Sequence, residues 1–129
     1  MTTNKFGTCK PILRVEDMKR ALRFYIDLLG FKAVDWSNEN FASIYKDRAA
    51  LFLCRQAQGR GSAWVWIDVD DVEKLHEECV ALGMKIRLPP TNYFYAMEMH
   101  VEDTEGNVLR FGSDPKTDRP FDNRGFDES

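Results

Sequence analysis

The chain has 129 residues, enough for one domain with a buried core, and its 43% hydrophobic and 30% charged fractions are those of an ordinary globular protein. A net charge of -3 gives no basic footprint for nucleic acid, the polar residues 1–8 do not resemble a signal peptide, and no apolar run approaches membrane-spanning length. Three cysteines (Cys9, Cys54 and Cys79) are odd in number and irregularly spaced, which argues against a disulfide framework or a zinc knuckle and for reduced thiols in a cytoplasmic protein.

After the polar lead-in, Cys9–Val15 reads as a strand with Pro11, Leu13 and Val15 on one face and Lys10, Ile12 and Arg14 on the other. Pro11 lacks an N–H and places this strand at an edge or at a crossing between chains. Asp17 is the expected cap of a helix that runs to Leu29 and is closed by Gly30. Phe31–Trp36, Phe41–Tyr45 and Ala49–Cys54 then read as three short strands, and 56–62 as a polar, glycine-bearing linker.

Beyond the linker the order repeats. Ala63, Val65, Ile67 and Val69 alternate with Trp64, Trp66 and Asp68, so one strand carries an aliphatic face and a face of two indoles and a carboxylate. The aliphatic face is expected on a helix. The indole face either fills a second core or lines a cavity for a flat ligand. Asp70-Asp71 caps a helix to Leu82, closed by Gly83, and strands follow near Lys85–Leu88, Tyr93–Val101 and Asn107–Gly112. At an offset of 53, Asp17 falls on Asp70, Leu22 on Leu75, Leu29-Gly30 on Leu82-Gly83 and Lys32 on Lys85. The expectation is an α+β domain over 1–113, built of tandem βαβββ units (9–55 and 63–113) that form a curved mixed sheet around a cleft. The charged residues 114–129 are expected to be a loosely ordered tail.

Several motifs carry a family resemblance: Ile12-Leu-Arg-Val-Glu-Asp17, Ala21-Leu-Arg-Phe-Tyr25, Leu29-Gly-Phe31, and a closing Asp103-Thr-Glu-Gly-Asn107 similar to a DPxGN turn. Over about residues 9–113 the chain resembles the vicinal oxygen chelate superfamily, which groups glyoxalase I, extradiol dioxygenases and bleomycin resistance proteins. The positions at which metal-dependent members hold a divalent ion correspond here to Lys10, Phe52, Trp64 and Arg110. Two cations and two aromatics are not metal ligands, so no metal and no other cofactor is expected. His76 reads as a helix-surface residue. His100 shares a strand face with Glu98 and Glu102, as an exposed ladder or as a row able to hold an ion. No nucleophile–base pair is recognisable, which fits a protein that is not an enzyme.

Within the superfamily, Ala63-Trp-Val-Trp-Ile67, Asn40-Phe-Ala-Ser-Ile-Tyr45, Ala50-Leu-Phe-Leu53 and Pro11 resemble the bleomycin resistance branch. That resemblance implies a homodimer, with possible exchange of the N-terminal strand, that sequesters a bleomycin-like drug without modifying it. Trp64, Trp66, Phe41, Phe52, Tyr93 and Tyr95 would stack on its planar rings, and Asp68 and Glu98 would meet its cationic tail. Lys10 and Arg110 place positive charge at the same cleft and suit an anionic ligand better. Where the branch carries WGxREF, this chain has Tyr95-Ala-Met-Glu-Met-His100, which keeps an aromatic and an acid but not the tryptophan, glycine or arginine. Two rival readings therefore stand: a binder of another small aromatic or anionic metabolite, and a divalent-metal lyase or dioxygenase with displaced ligands.

Overall fold

The alternation of apolar and polar residues folds each half of the chain into the same small sheet. The computed structural model describes residues 2–6, 8–55 and 61–122. In the first unit, β1 (Ile12–Val15), β2 (Lys32–Ala33), β3 (Phe41–Lys46) and β4 (Ala49–Arg55) lie in the order β1-β4-β3-β2, with β1 parallel to β4 and the rest antiparallel. In the second, β5 (Trp64–Asp68), β6 (Lys85–Asn92), β7 (Met97–Glu102) and β8 (Val108–Ser113) lie in the order β5-β8-β7-β6, with β5 parallel to β8. The duplication is therefore complete at the level of topology. The units form two separate mixed sheets, with β1 and β5 each at an edge. The polar linker lies largely in 56–60, outside the described residues.

The two helices are equivalent but not equal. Helix α1 (Met18–Leu22) is capped by Asp17, whose side chain accepts from the Arg20 N–H, and α2 (Val72–Ala81) by Asp71, which accepts from the Lys74 N–H. The matched caps are thus Asp17 and Asp71, whereas the offset of 53 had paired Asp17 with Asp70. Gly30 and Gly83, both at positive φ, do match at 53. The first helix therefore holds one extra residue between cap and closing glycine. It absorbs that residue as a π-helical segment, Arg23–Leu28, in which the Leu29 N–H donates to the Phe24 carbonyl five residues back. The bond that closes the helix past its glycine spans six residues in the first unit (Phe31 N–H to Tyr25 C=O) and five in the second (Met84 N–H to Cys79 C=O).

The inserted turn carries Tyr25, which is fully buried and packs edge-to-face with Phe24 and Phe31 at centroid distances of 5.1 and 5.6 Å. Its hydroxyl donates to Asp103 Oδ2 at 2.9 Å, so the first helix reaches the closing turn of the second unit. Asp103 Oδ1 accepts from the Glu105 and Asn107 N–H groups, and Asn107 Nδ2 donates to Asp103 Oδ2 and to the Arg14 carbonyl. Glu105 reaches back across the same seam. Its Oε1 accepts from the Glu16 and Asp17 N–H groups, and its Oε2 from Arg20. Burial pushes the Glu105 carboxyl up, but the hydrogen bonds from Arg20, Glu16 and Asp17 together hold it below its ordinary value. Burial, then the Asp103 charge and hydrogen bond, push the Tyr25 phenol well above its ordinary value. The turn that resembles DPxGN is thus a clasp between the two units.

One continuous core lies behind the sheets, with Leu13, Val15, Phe24, Tyr25, Phe31, Ile44, Leu51 and Leu53 from the first unit and Val72, Cys79, Met97, Met99, Val101, Leu109 and Phe111 from the second. Several strand limits differ from the sequence expectation for local reasons. Of 31–36 only Lys32–Ala33 form the strand, with the Val34 N–H adding one more bond to the Ser43 carbonyl of β3, because a turn in which the Ser37 N–H donates to the Val34 carbonyl ends it. Strand β6 runs on through Pro89-Pro90 because it is an edge strand, with register shifts that leave the prolines outside the ladder. Residues 93–96 form the β6–β7 hairpin loop instead of opening β7, with the Tyr93 N–H donating to the Ala96 carbonyl.

Part of the tail is fastened. The buried Asn92 side chain donates to the Lys116 and Pro120 carbonyls and accepts from the Lys116 N–H, while its own carbonyl accepts from the Asp122 N–H. Arg119 adds an ion pair to Glu73 on α2. Residues 123–129 lie outside the described residues.

Candidate functional site

In β5 the side chains divide as the alternation requires. Val65 and Ile67 pack on the core, while Trp64 and Trp66 remain 51% and 43% exposed. The indoles do not fill a second core. They are held in place at their edges. Trp66 donates from Nε1 to Asp68 Oδ1 at 2.8 Å and lies 5.3 Å beneath the Arg110 guanidinium, and Trp64 lies 5.3 Å beneath that of Arg87. Trp64 also meets the His100 ring edge-on at 5.3 Å. Trp66 lies across Gly112 of β8, where any Cβ would collide with the six-membered ring of the indole.

Beside the indoles sits a carboxylate that the sequence presents as a ligand for a cationic tail. Glu98 is only 1% exposed. Its Oε1 accepts from Arg110 Nε at 2.6 Å and Nη2 at 2.5 Å and lies 2.7 Å from His100 Nε2, and its Oε2 accepts from the Tyr95 hydroxyl at 3.0 Å. The ladder of Glu98, His100 and Glu102 is therefore not an exposed one, because Arg110, opposite His100 in the β7–β8 register, draws Glu98 inward. Tyr95 is half-exposed and stacks on the buried Tyr93 with centroids 5.4 Å apart and planes 5° apart, so Tyr93 supports the ring of its neighbour. Burial and the hydrogen bond to Glu98 push the Tyr95 phenol up to about 12.

The remaining expected aromatics, Phe41 and Phe52, lie on the first sheet, and Lys10 just ahead of β1. Phe41 and Phe52 meet at 5.1 Å, Trp36 stacks on Phe41 at 6.1 Å, and Lys10 Nζ lies 5.2 Å from the centre of the Phe52 ring. The structure thus assembles two aromatic faces, Trp36/Phe41/Phe52 and Trp64/Trp66/Tyr95, on separate sheets. A crevice of about 810 Å3 runs between the units at the end of the first helical stretch, the β3–β4 turn and β5, and includes Trp66 and Asp68. Arg87, Trp36, His100 as an aromatic neighbour and Gly112 were absent from the expected site. A glycine inside a strand was the one available signal, since it commonly marks a close approach.

At the four positions where a divalent ion would be held, Arg110 is committed to Glu98 and Lys10 lies over Phe52, so the donor set does not fit a metal. Among the described residues no three His, Cys, Asp or Glu side chains are grouped to bind one.

A family model described as the glyoxalase/bleomycin resistance protein/dioxygenase superfamily matches residues 5–111. The chain belongs to that superfamily. No curated protein matches it. Among solved structures, a bleomycin-binding protein from Streptomyces verticillus, in complex with copper(II)-bleomycin, is similar at 25% identity and a TM-score of 0.70, over 88% of this chain and 100% of that one. TioX from Micromonospora sp. ML1 (19% identity, TM-score 0.72, covering 83% of this chain and 98% of that one) shares the fold. So does lactoylglutathione lyase from Agrobacterium tumefaciens (17%, 0.69, 85% and 96%). Superfamily membership spans binding proteins and enzymes. Among the described residues no helix is long and apolar enough to cross a membrane.

Proposed function

We propose that this superfamily member is a non-catalytic binding protein that sequesters planar aromatic drugs of the bleomycin type in grooves of a homodimer. The observation that carries the reading is the Trp64/Trp66 pair, exposed yet fixed by Asp68, Arg110, Arg87 and Gly112. Fixed aromatic plates lose little conformational freedom when a ring stacks on them, and each stacked ring contributes about 0.5–1.5 kcal/mol beyond its buried area. A few such contacts give useful affinity without chemistry.

The division of the site supports a dimer. Each aromatic face lies on its own sheet, β1 and β5 are both edges, and Ile12 and Pro11 are exposed beside them. A second chain that sets its first sheet against the partner's second sheet would close both faces into grooves, with or without exchange of the strand that contains Pro11. The similar bleomycin-binding protein supports the ligand class.

The test is a calorimetric titration with metal-free and copper-loaded bleomycin, with and without a chelator present beside the metal-free drug, alongside sedimentation. Saturable binding at about one drug per chain, unchanged by the chelator and lost in Trp64→Ala, is expected from a dimer. No binding to either form of the drug overturns the reading.

A further inference from the structure

On the reading that the two aromatic faces bind a ligand, we infer that they prefer a ring system bearing an anionic group to one bearing an ammonium, so that a bleomycin-type drug would be held there by its rings and not by its cationic tail. The faces are already supplied with cations. Arg87 lies over Trp64, Arg110 over Trp66 and Lys10 over Phe52. An incoming ammonium would compete with these groups for the same π-surfaces.

The carboxylates, by contrast, are spent or hidden. Glu98 is enclosed by Arg110, His100 and Tyr95, and Glu102 pairs with Lys85 and Arg87. In each Lys or Arg pair of this face the cation is the more exposed member: Arg110 at 24% against Glu98 at 1%, and Lys85 at 70% and Arg87 at 43% against Glu102 at 21%. A ligand on this face thus meets the positive end of each pair; on the first sheet the order is reversed, with Arg14 at 28% against Glu16 at 67%. Asp68 is the exception, exposed but occupied as acceptor for the Trp66 indole.

Unspent donors remain beside the rings. Arg110 uses Nε and Nη2 on Glu98, which leaves its Nη1 without a hydrogen bond among the described residues. On the first sheet Arg14 is in register with Cys54, as is Phe41, so it shares the Phe41/Phe52 face. Its Nε is buried without a hydrogen-bond partner, though it is ion-paired with Glu16 at 3.5 Å. A carboxylate or sulfonate on a stacked ring would satisfy such guanidinium donors in charge-assisted hydrogen bonds.

The experiment compares two probes of the same shape and opposite charge, 2-naphthoate and protonated 2-naphthylmethylamine, titrated into the full-length protein and followed by the indole N–H signals. Naphthoate is expected to bind about tenfold tighter, with the preference shrinking as salt is added. Arg87→Met should weaken naphthoate about threefold and leave the amine unchanged or improved. Arg110→Met combined with Glu98→Gln, which strands no buried carboxylate, should act in the same direction. Equal binding, tighter binding of the amine, or binding of neither probe overturns the inference. Bleomycin titrated in parallel separates the two readings. If the drug binds and the naphthyl pair shows no preference, only the anion inference fails; if naphthoate is preferred and the drug is ignored, only the drug assignment fails.

Discussion

Gly112→Ala tests whether the indole face is built or incidental. The new Cβ would overlap the outer carbons of the Trp66 ring, and the nearest of them are the far end of a half-exposed side chain. Relief therefore comes from swinging Trp66 away rather than from moving the β8 backbone. That motion removes the exposed Trp66–Asp68 hydrogen bond, about 0.5–1.5 kcal/mol, and the Arg110 contact, about 0.5–1 kcal/mol. Replacing glycine within a strand returns about 0.5–1 kcal/mol of backbone entropy. Net stability in urea should thus fall by no more than about 2 kcal/mol, while the indole N–H of Trp66 loses its protection from exchange and ligand affinity drops about tenfold. Trp66→Ala should weaken binding by a similar factor, and the double variant by no more than either alone. A loss above about 3 kcal/mol would mean that Trp66 is locked into the core. An unchanged indole signal together with unchanged binding would refute the platform outright.

Tyr25→Phe should cost about 1 kcal/mol by removing the hydroxyl that crosses to Asp103, measured by urea denaturation. Because the folded phenol is held well above its ordinary value of 10, only the unfolded state loses that proton between the two values, so wild-type stability should fall as pH rises past 10 and the Phe variant should lose that slope. Glu105→Gln should act at the other end of the scale. The folded carboxyl is held below its ordinary 4.5, so its stabilisation is complete above that value and lost as pH falls through the lower folded one; an acid titration of the variant should be flatter there. Asn92→Ala should cost about 2 kcal/mol and make residues 114–122 sensitive to brief proteolysis, since three side-chain hydrogen bonds fasten them.

The fold was legible because its signals are local and repeated. Two aspartate caps, two closing glycines at positive φ and alternating strands each predict their own element, and the duplication adds one arrangement to the other. What escaped was a single inserted residue. A π-turn leaves no mark in an apolar pattern read at helical spacing, and only the two observed caps reveal that the first helix is longer by one. The strand Phe31–Trp36 and the strand opening at Tyr93 were cut short by local backbone bonds despite high β-propensity: the Phe31 N–H closes the first helix on the Tyr25 carbonyl, the Ser37 N–H turns the chain back onto the Val34 carbonyl, and the Tyr93 N–H goes to Ala96.

The site was legible as a set of residue types and illegible as a charge arrangement. Trp64, Trp66, Phe41 and Phe52 announce themselves by size and alternation, but what surrounds a ring depends on cross-strand register, which sequence alone does not specify across 40 residues. Register places Arg110 opposite Trp66 on one side and His100 on the other, and Arg110 then draws Glu98 under the surface. The acid that reads as bait for a cation thereby becomes the buried anchor of one. A buried ion pair of this kind adds little net stability against apolar residues of equal size, because both groups lose hydration. Its value lies in fixing a guanidinium, flat and partly exposed, over an indole. Charge at this site is therefore a question of which member of each pair faces solvent, and on β7, β8 and β6 that member is the cation.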